Sequence, residues 1–230
     1  MRSWKSLLLK NKTVVNFVLS SWILLGNPHG AFAQQQCHLL FEKSSQQQKL
    51  QIPLIKMSSN YIGENKGAYV DPITKQKWKV IYFTEAEKQI YEVFYSHKLF
   101  WNFDGKKANS EFDPEALSFS HSLIVIDRNF RIYTLPFEER GKYHHSSLSA
   151  GEDVLFAGTV AFSDGQIREL SDLSGHYKPT AQQTIRILKE LNRRGVDLSK
   201  LKLSGRIAQE MGQTPTLYPD EVRKILSEGY

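Results

Sequence analysis

The chain has 230 residues, 30 basic and 24 acidic side chains, a formal charge of +6 and one cysteine. Arg2, Lys5, Lys10 and Lys12 fall in the first twelve residues with no acid beside them, so from residue 34 onward 26 bases face 24 acids. That balance leaves no basic footprint for nucleic acid, and a lone cysteine, Cys37, excludes an intrachain disulfide.

The opening residues follow the pattern of an export signal. A basic stretch precedes the largely apolar run Thr13 to Gly26, and Ala31-Phe32-Ala33 supplies the small-x-small site that signal peptidase reads. The expectation is a signal peptide over residues 1–33, with a secreted or periplasmic product starting at Gln34. Asn16, Ser20 and Ser21 interrupt a run already shorter than the roughly 20 apolar residues of a membrane span, so no stable membrane anchor is expected after cleavage. Residues 34–67, rich in Gln, Ser and Lys, read as a mobile polar lead-in with one edge strand at Leu50 to Ile55. A single α+β domain is expected over 68–230.

Within that domain Trp78 to Phe83 has strand composition. Thr84-Glu85-Ala86-Glu87 has capping-box spacing and predicts a helix running to about Leu99, with Ile90, Val93, Phe94 and His97 on one side. Trp101 to Leu117 is turn-rich and reads as a long loop. Two hairpins follow: Ser122 to Ile126 with Arg131 to Leu135, and Val154 to Ser163 with Gln166 to Leu170 around Asp164-Gly165. Pro179 at a first-turn position starts a helix striped by Ala181, Ile185, Leu188 and Leu191, and a last helix starts at Pro219-Asp220. The resulting fold class is α+β, an antiparallel sheet built from hairpins with helices packed on it.

Chemistry-bearing residues concentrate between Gly141 and Pro179. His144-His145-Ser146-Ser147 and Ser174-Gly175-His176-Tyr177 flank one hairpin, and its paired strands, about 5 Å apart, return the chain to its starting edge. The two clusters should therefore face each other in a solvent-reachable hollow. His145, Ser146, Ser147, His176 and Tyr177 have the residue types of acid/base or group-transfer chemistry, with Glu152 as carboxylate partner. The same Ser-Gly-His-Tyr run also suits a rigid turn ahead of a helix. No metal set is expected, because His144 and His145, adjacent on a strand, would point to opposite faces. Neither Ser149-Ala150-Gly151 nor Ala157-Gly158 fits a phosphate-binding fingerprint, and the cofactor stays unknown. Those glycines read as turns or close backbone approach within the sheet.

His145-Ser146-Ser147, Ala150-Gly151, Ala157-Gly158, Asp164-Gly165, Ser174-Gly175-His176-Tyr177, Pro179 and Val196-Asp197-Leu198 together carry a resemblance. The run from about His121 to Leu203, roughly two fifths of the chain after residue 33, resembles the central domain of plant IQ-motif calmodulin-binding proteins. Similar segments occur in some bacterial effector and toxin proteins. The calmodulin-binding helix of that family has the form Ile-Gln-x-x-x-Arg-Gly-x-x-x-Arg, and nothing here fits it, so calmodulin is not expected as a partner. The resemblance implies a shared fold and assigns no catalytic residue. Two functions are open: an exported effector-like or periplasmic domain that recognises a protein partner or small ligand through a His/Ser/Tyr face, or a group-transfer or hydrolytic enzyme, ADP-ribosyltransferase-like, using His145 and His176.

Overall fold

The computed structural model describes residues 52–115, 118–136 and 138–228. The expected signal at 1–33, Cys37 and the Gln-rich stretch up to residue 51 lie outside the described residues.

Strand-forming composition decides the outcome soon after Thr84. The capping box forms as expected, with the Thr84 hydroxyl accepting from the Glu87 N–H at 3.2 Å and the Glu87 carboxylate accepting from the Thr84 N–H at 2.9 Å. The helix it opens, α1, stops after one turn at Glu85–Lys88. A 3-10 turn, Gln89–Tyr91, then feeds strands β1, Glu92–Ser96, and β2, Leu99–Asn102. This corrects the expected helix to Leu99. Val93, Phe94 and Tyr95 are β-branched or aromatic, and His97 and Lys98 take φ of 52° and 63°, the geometry of a two-residue hairpin turn.

A short ribbon, β3 (Phe112–Asp113) with β4 (Ser118–Phe119), interrupts the loop that follows. Both expected hairpins are present, β5 (Ser122–Ile126) with β6 (Ile132–Leu135), and β7 (Phe156–Ser163) with β8 (Gln166–Ser171). At the second, Asp164 and Gly165 have φ of 53° and 77°, as an Asp-Gly turn of the primed type requires. Between the hairpins lies α2, His145–Ser149. After β8 come α3 (Ala181–Arg193), β9 (Lys202–Ser204), α4 (Arg206–Gly212), β10 (Thr216–Leu217) and α5 (Pro219–Ser227). Thr180, rather than Pro179, opens α3, capping the Gln183 N–H at 3.2 Å.

Eight strands form one sheet in the order β10-β9-β8-β7-β5-β6-β1-β2, with every neighbouring pair antiparallel except β8 with β9. The fold is α+β. The β8–β9 pair is parallel because α3 lies in the connection between them. At the other end the sheet curls: the Phe100 N–H donates to the Gly165 carbonyl at 2.8 Å, and the Ala108 N–H to the Phe100 carbonyl at 2.9 Å. The open side of β2 is thus covered by the β7–β8 turn and by the chain's own loop.

On β5, Leu123 and Val125 join Leu135, Leu148, Val154, Ala157 and Tyr177 in one apolar cluster. Ile124 and Ile126, on the opposite face, are buried as well. Layers therefore cover both faces, and Leu148, fully buried, contributes about 2 kcal/mol by leaving water. Ile55 also belongs to this cluster. The described part of the stretch expected as a lead-in over 34–67 falls within the compact unit. Ile55 and Val154 exchange backbone hydrogen bonds at 2.7 and 3.0 Å, so residues 52–67 form a strap built into the domain. Trp78 to Phe83 is assigned to no strand among the described residues; the Lys79 and Ile81 amides donate to the carbonyls of Gly141 and Lys142.

Candidate functional site

The short helix α2 sets the geometry. His144 precedes it in an extended conformation, its N–H donating to Ser147 Oγ at 3.1 Å, and Ala150 at φ 53° ends it. His145 is therefore helical, which corrects the expectation that His144 and His145 alternate across a strand.

Each of the five candidate residues has a defined inward partner. The His145 Nε2–H donates to the Gly158 carbonyl at 2.8 Å, which fixes the proton on that nitrogen, and Nδ1 accepts from the Ser174 hydroxyl at 3.3 Å. Burial pushes this imidazole down to about 4, so it is neutral near pH 7. Ser146 Oγ donates to Glu64 Oε1 at 2.5 Å. Ser147 Oγ accepts from the His144 amide. His176 Nε2–H donates to Glu64 Oε2 at 2.9 Å. The Tyr177 hydroxyl donates to the Glu152 carbonyl at 3.0 Å and accepts from Ser149 Oγ at 2.5 Å. Glu152's carboxylate lies instead on the surface, 3.8 Å from Arg128, and is no partner to either histidine.

The hairpin does bring the two clusters together, with the His144 and His176 rings 4.8 Å apart. It brings them together inside the protein. His145 keeps 5% of its surface exposed and His176 4%, in place of the expected solvent-reachable hollow.

Glu64 and an aromatic group were not singled out from the sequence, and His144, named there within its cluster, was not among the candidate site residues. Glu64 has no exposed surface and accepts from Ser146, His176 and, at 3.3 Å, Tyr82. Burial beside this carboxylate pushes the Tyr82 phenol well above its usual range. His144 Nε2 accepts from the Gly141 N–H at 2.8 Å, so its proton sits on Nδ1 and is donated to Glu138 at 2.9 Å. That bond holds the Glu138 carboxyl below its usual range. The rings of Tyr69, Tyr61, His176, His144 and Trp78 then close a circuit, with successive centroids 4.8, 4.0, 4.8 and 4.8 Å apart and Trp78 back to Tyr69 at 4.6 Å. Among the described residues no group of three or more His, Cys, Asp or Glu could hold a metal ion, and no helix is long and apolar enough to cross a membrane.

The segment holding α2 and the His176 turn lies within a match to a known family. Residues 87–184 match the IQ motif-containing protein middle domain. Among curated proteins the chain is similar to IQ domain-containing protein IQM5 of Arabidopsis thaliana, 22% identical over 202 residues, covering 86% of this chain and 38% of that protein. It is also similar to IQ domain-containing protein IQM3 of the same plant, 28% identical over 134 residues, covering 57% of this chain and 28% of that one. The chain thus spans well under half the length of these relatives. No solved structure matches it.

These matches bear out the resemblance and correct two expectations. The relatives are IQ domain-containing proteins of a plant, and this finding overturns the secreted or periplasmic destination read from residues 1–33. They are also not the bacterial effectors that the sequence brought to mind. The middle domain match runs from α1 into α3 and so includes His144 to Tyr177. Tyr61, Glu64, Tyr69, Trp78 and Tyr82, which complete the cluster, precede it.

Proposed function

We propose that this chain is a polypeptide-recognition module whose contact surface is the outer side of residues 52–78, with the His/Ser/Tyr cluster as the floor that holds that surface in place. The observation that carries it is where apolar side chains face water. Ile62 is 66% exposed and Ile73 77%, and Leu54 and Val70 are exposed too. Ile62 and Val70 directly follow Tyr61 and Tyr69, whose rings stack at 4.8 Å. Exposed apolar side chains around fixed aromatic rings are characteristic of protein contact sites.

The hydrogen bonds weigh against the enzymatic alternative. A serine nucleophile needs an adjacent base to take its proton and a substrate within reach; Ser146 gives its proton to a carboxylate, Ser147 accepts from an amide, and the Ser174–His145 pair is buried. Calmodulin stays outside the proposal, because this sequence contains no Ile-Gln pair.

The test is selection of binding peptides from a random displayed library on the immobilised chain. Peptides selected on the wild type should lose at least tenfold in affinity for a Val70→Ser/Ile73→Ser chain, with its urea midpoint unchanged. They should keep full affinity for Phe112→Ser, an exposed apolar position elsewhere. Equal binding to all three chains would overturn the proposal.

A further inference from the structure

Glu64 is an acid with no exposed surface, carried on a polar strap and set among donors that belong to the body of the domain. Ser146 Oγ comes from α2, His176 from the turn before α3, and Tyr82 from the extended run after Trp78; they reach Glu64 at 2.5, 2.9 and 3.3 Å. Two of the three donors meet one oxygen and the third meets the other, which is how a carboxylate is bound. The strap adds a second contact three residues earlier, where the Tyr61 ring lies on the His176 ring at 4.0 Å and 25°. Gly63, at φ 81°, makes the turn that lets both contacts form from one short stretch. The contact is thus made in the manner of a bound peptide: one aromatic ring, one turn glycine, one carboxylate.

We infer that Ser146, His176 and Tyr82 form a carboxylate-binding pocket for peptides bearing an aromatic residue three positions before a glutamate, and that the chain fills it with its own Tyr61 and Glu64. The inference rests on the polypeptide-recognition reading and adds a second contact beneath residues 58–67, while Val70 and Ile73 stay on the outer surface. The tethered strap acts at high effective concentration and so competes with any peptide from outside. A partner carrying the same pattern displaces it.

The test uses the full chain and a fluorescent peptide spanning Ser58–Gly67. Removing the internal competitor's carboxylate with Glu64→Ala should make the chain bind this peptide at least tenfold more tightly than the wild type does. Peptides in which Glu64 is Gln or Tyr61 is Ala should lose most of that gain, and adding Ser146→Ala to the Glu64→Ala chain should abolish it. Glu64→Ser is run in parallel, so that poor folding of one variant does not decide the matter. A second arm gives the same variants acetate against chloride. Stabilisation by acetate with no peptide binding would assign the pocket to free small acids and overturn the inference, as would peptide binding indifferent to the glutamate. Val70→Ser/Ile73→Ser leaves the pocket residues intact, so failure of the surface reading and failure of this one are separable.

Discussion

His176 donates to Glu64 across 112 residues of sequence at 2.9 Å, and neither side chain has appreciable contact with solvent. The bond joins the turn ahead of α3 to the strap that precedes the sheet, and the Ser58 N–H reinforces it by donating to the His176 carbonyl at 2.7 Å. A buried carboxylate costs several kcal/mol to desolvate unless donors surround it. Here Ser146, His176 and Tyr82 do so, which makes two of the residues that looked catalytic in the sequence, Ser146 and His176, partners of an internal acid.

Removing that acid leaves two close donors buried without an acceptor. Glu64→Ala should therefore lower unfolding stability by about 3 kcal/mol, read as a fall in the urea midpoint at constant slope. A loss below about 1 kcal/mol would mean that the donors find water or other partners.

His145 should give the protein a pH dependence of definite sign. Its pKa is about 4 in the fold and about 6.5 in an unfolded chain. Between these values the unfolded state binds more protons, so stability rises with pH: the contribution is complete above pH 6.5 and is lost as the pH falls toward 4, by about 3 kcal/mol in all. Urea titrations of wild type and His145→Asn between pH 4 and 7 should differ in slope over this window. Parallel curves would show that the imidazole is charged inside the fold.

Gly158 is required by space. A Cβ built there would lie 1.9 Å from the Ser171 carbonyl oxygen on β8, so Gly158→Ala must push two paired strands apart. The expected cost is about 2 to 4 kcal/mol, visible as a lowered thermal midpoint. Its own carbonyl accepts from His145, and the same variant should therefore also alter the His145 titration seen by NMR.

Asp172 caps α4 from outside the helix. Its Oδ1 accepts from the Arg206 N–H at 2.6 Å, and Oδ2 from the Ile207 N–H at 2.9 Å and the Thr184 hydroxyl at 3.2 Å. Asp172→Ala should cost about 2 kcal/mol, and hydrogen exchange should show faster amides at Arg206 and Ile207 before any change in β7. Uniform acceleration across the sheet would argue against a local capping role.

The parts legible in the sequence are those whose chemistry is local. Asp164-Gly165 declares its hairpin because both residues accept positive φ, and Thr84 declares its cap because Glu87 stands three residues away. The β1–β2 hairpin turns instead on His97-Lys98, residues that carry no turn signal, while Ile90, Val93, Phe94 and His97 imitate a helical stripe. For the cluster, the hairpin argument brings His144 close to His176, but burial depends on what covers them. The cover is Trp78 together with Tyr61 and Glu64, the latter two drawn from a stretch whose Gln, Ser and Lys content reads as mobile. Only long-range packing pairs Glu64 with residues 82 and 112 positions away, and no spacing rule reports that.

A double-mutant cycle on Glu64→Gln and His176→Gln, followed by urea unfolding at pH 7, tests the pinned strap most directly. A coupling of at least about 1 kcal/mol between the two positions is the predicted result, as for groups sharing one buried hydrogen bond. Losses that add to within about 0.5 kcal/mol, the behaviour of independent sites, would contradict it.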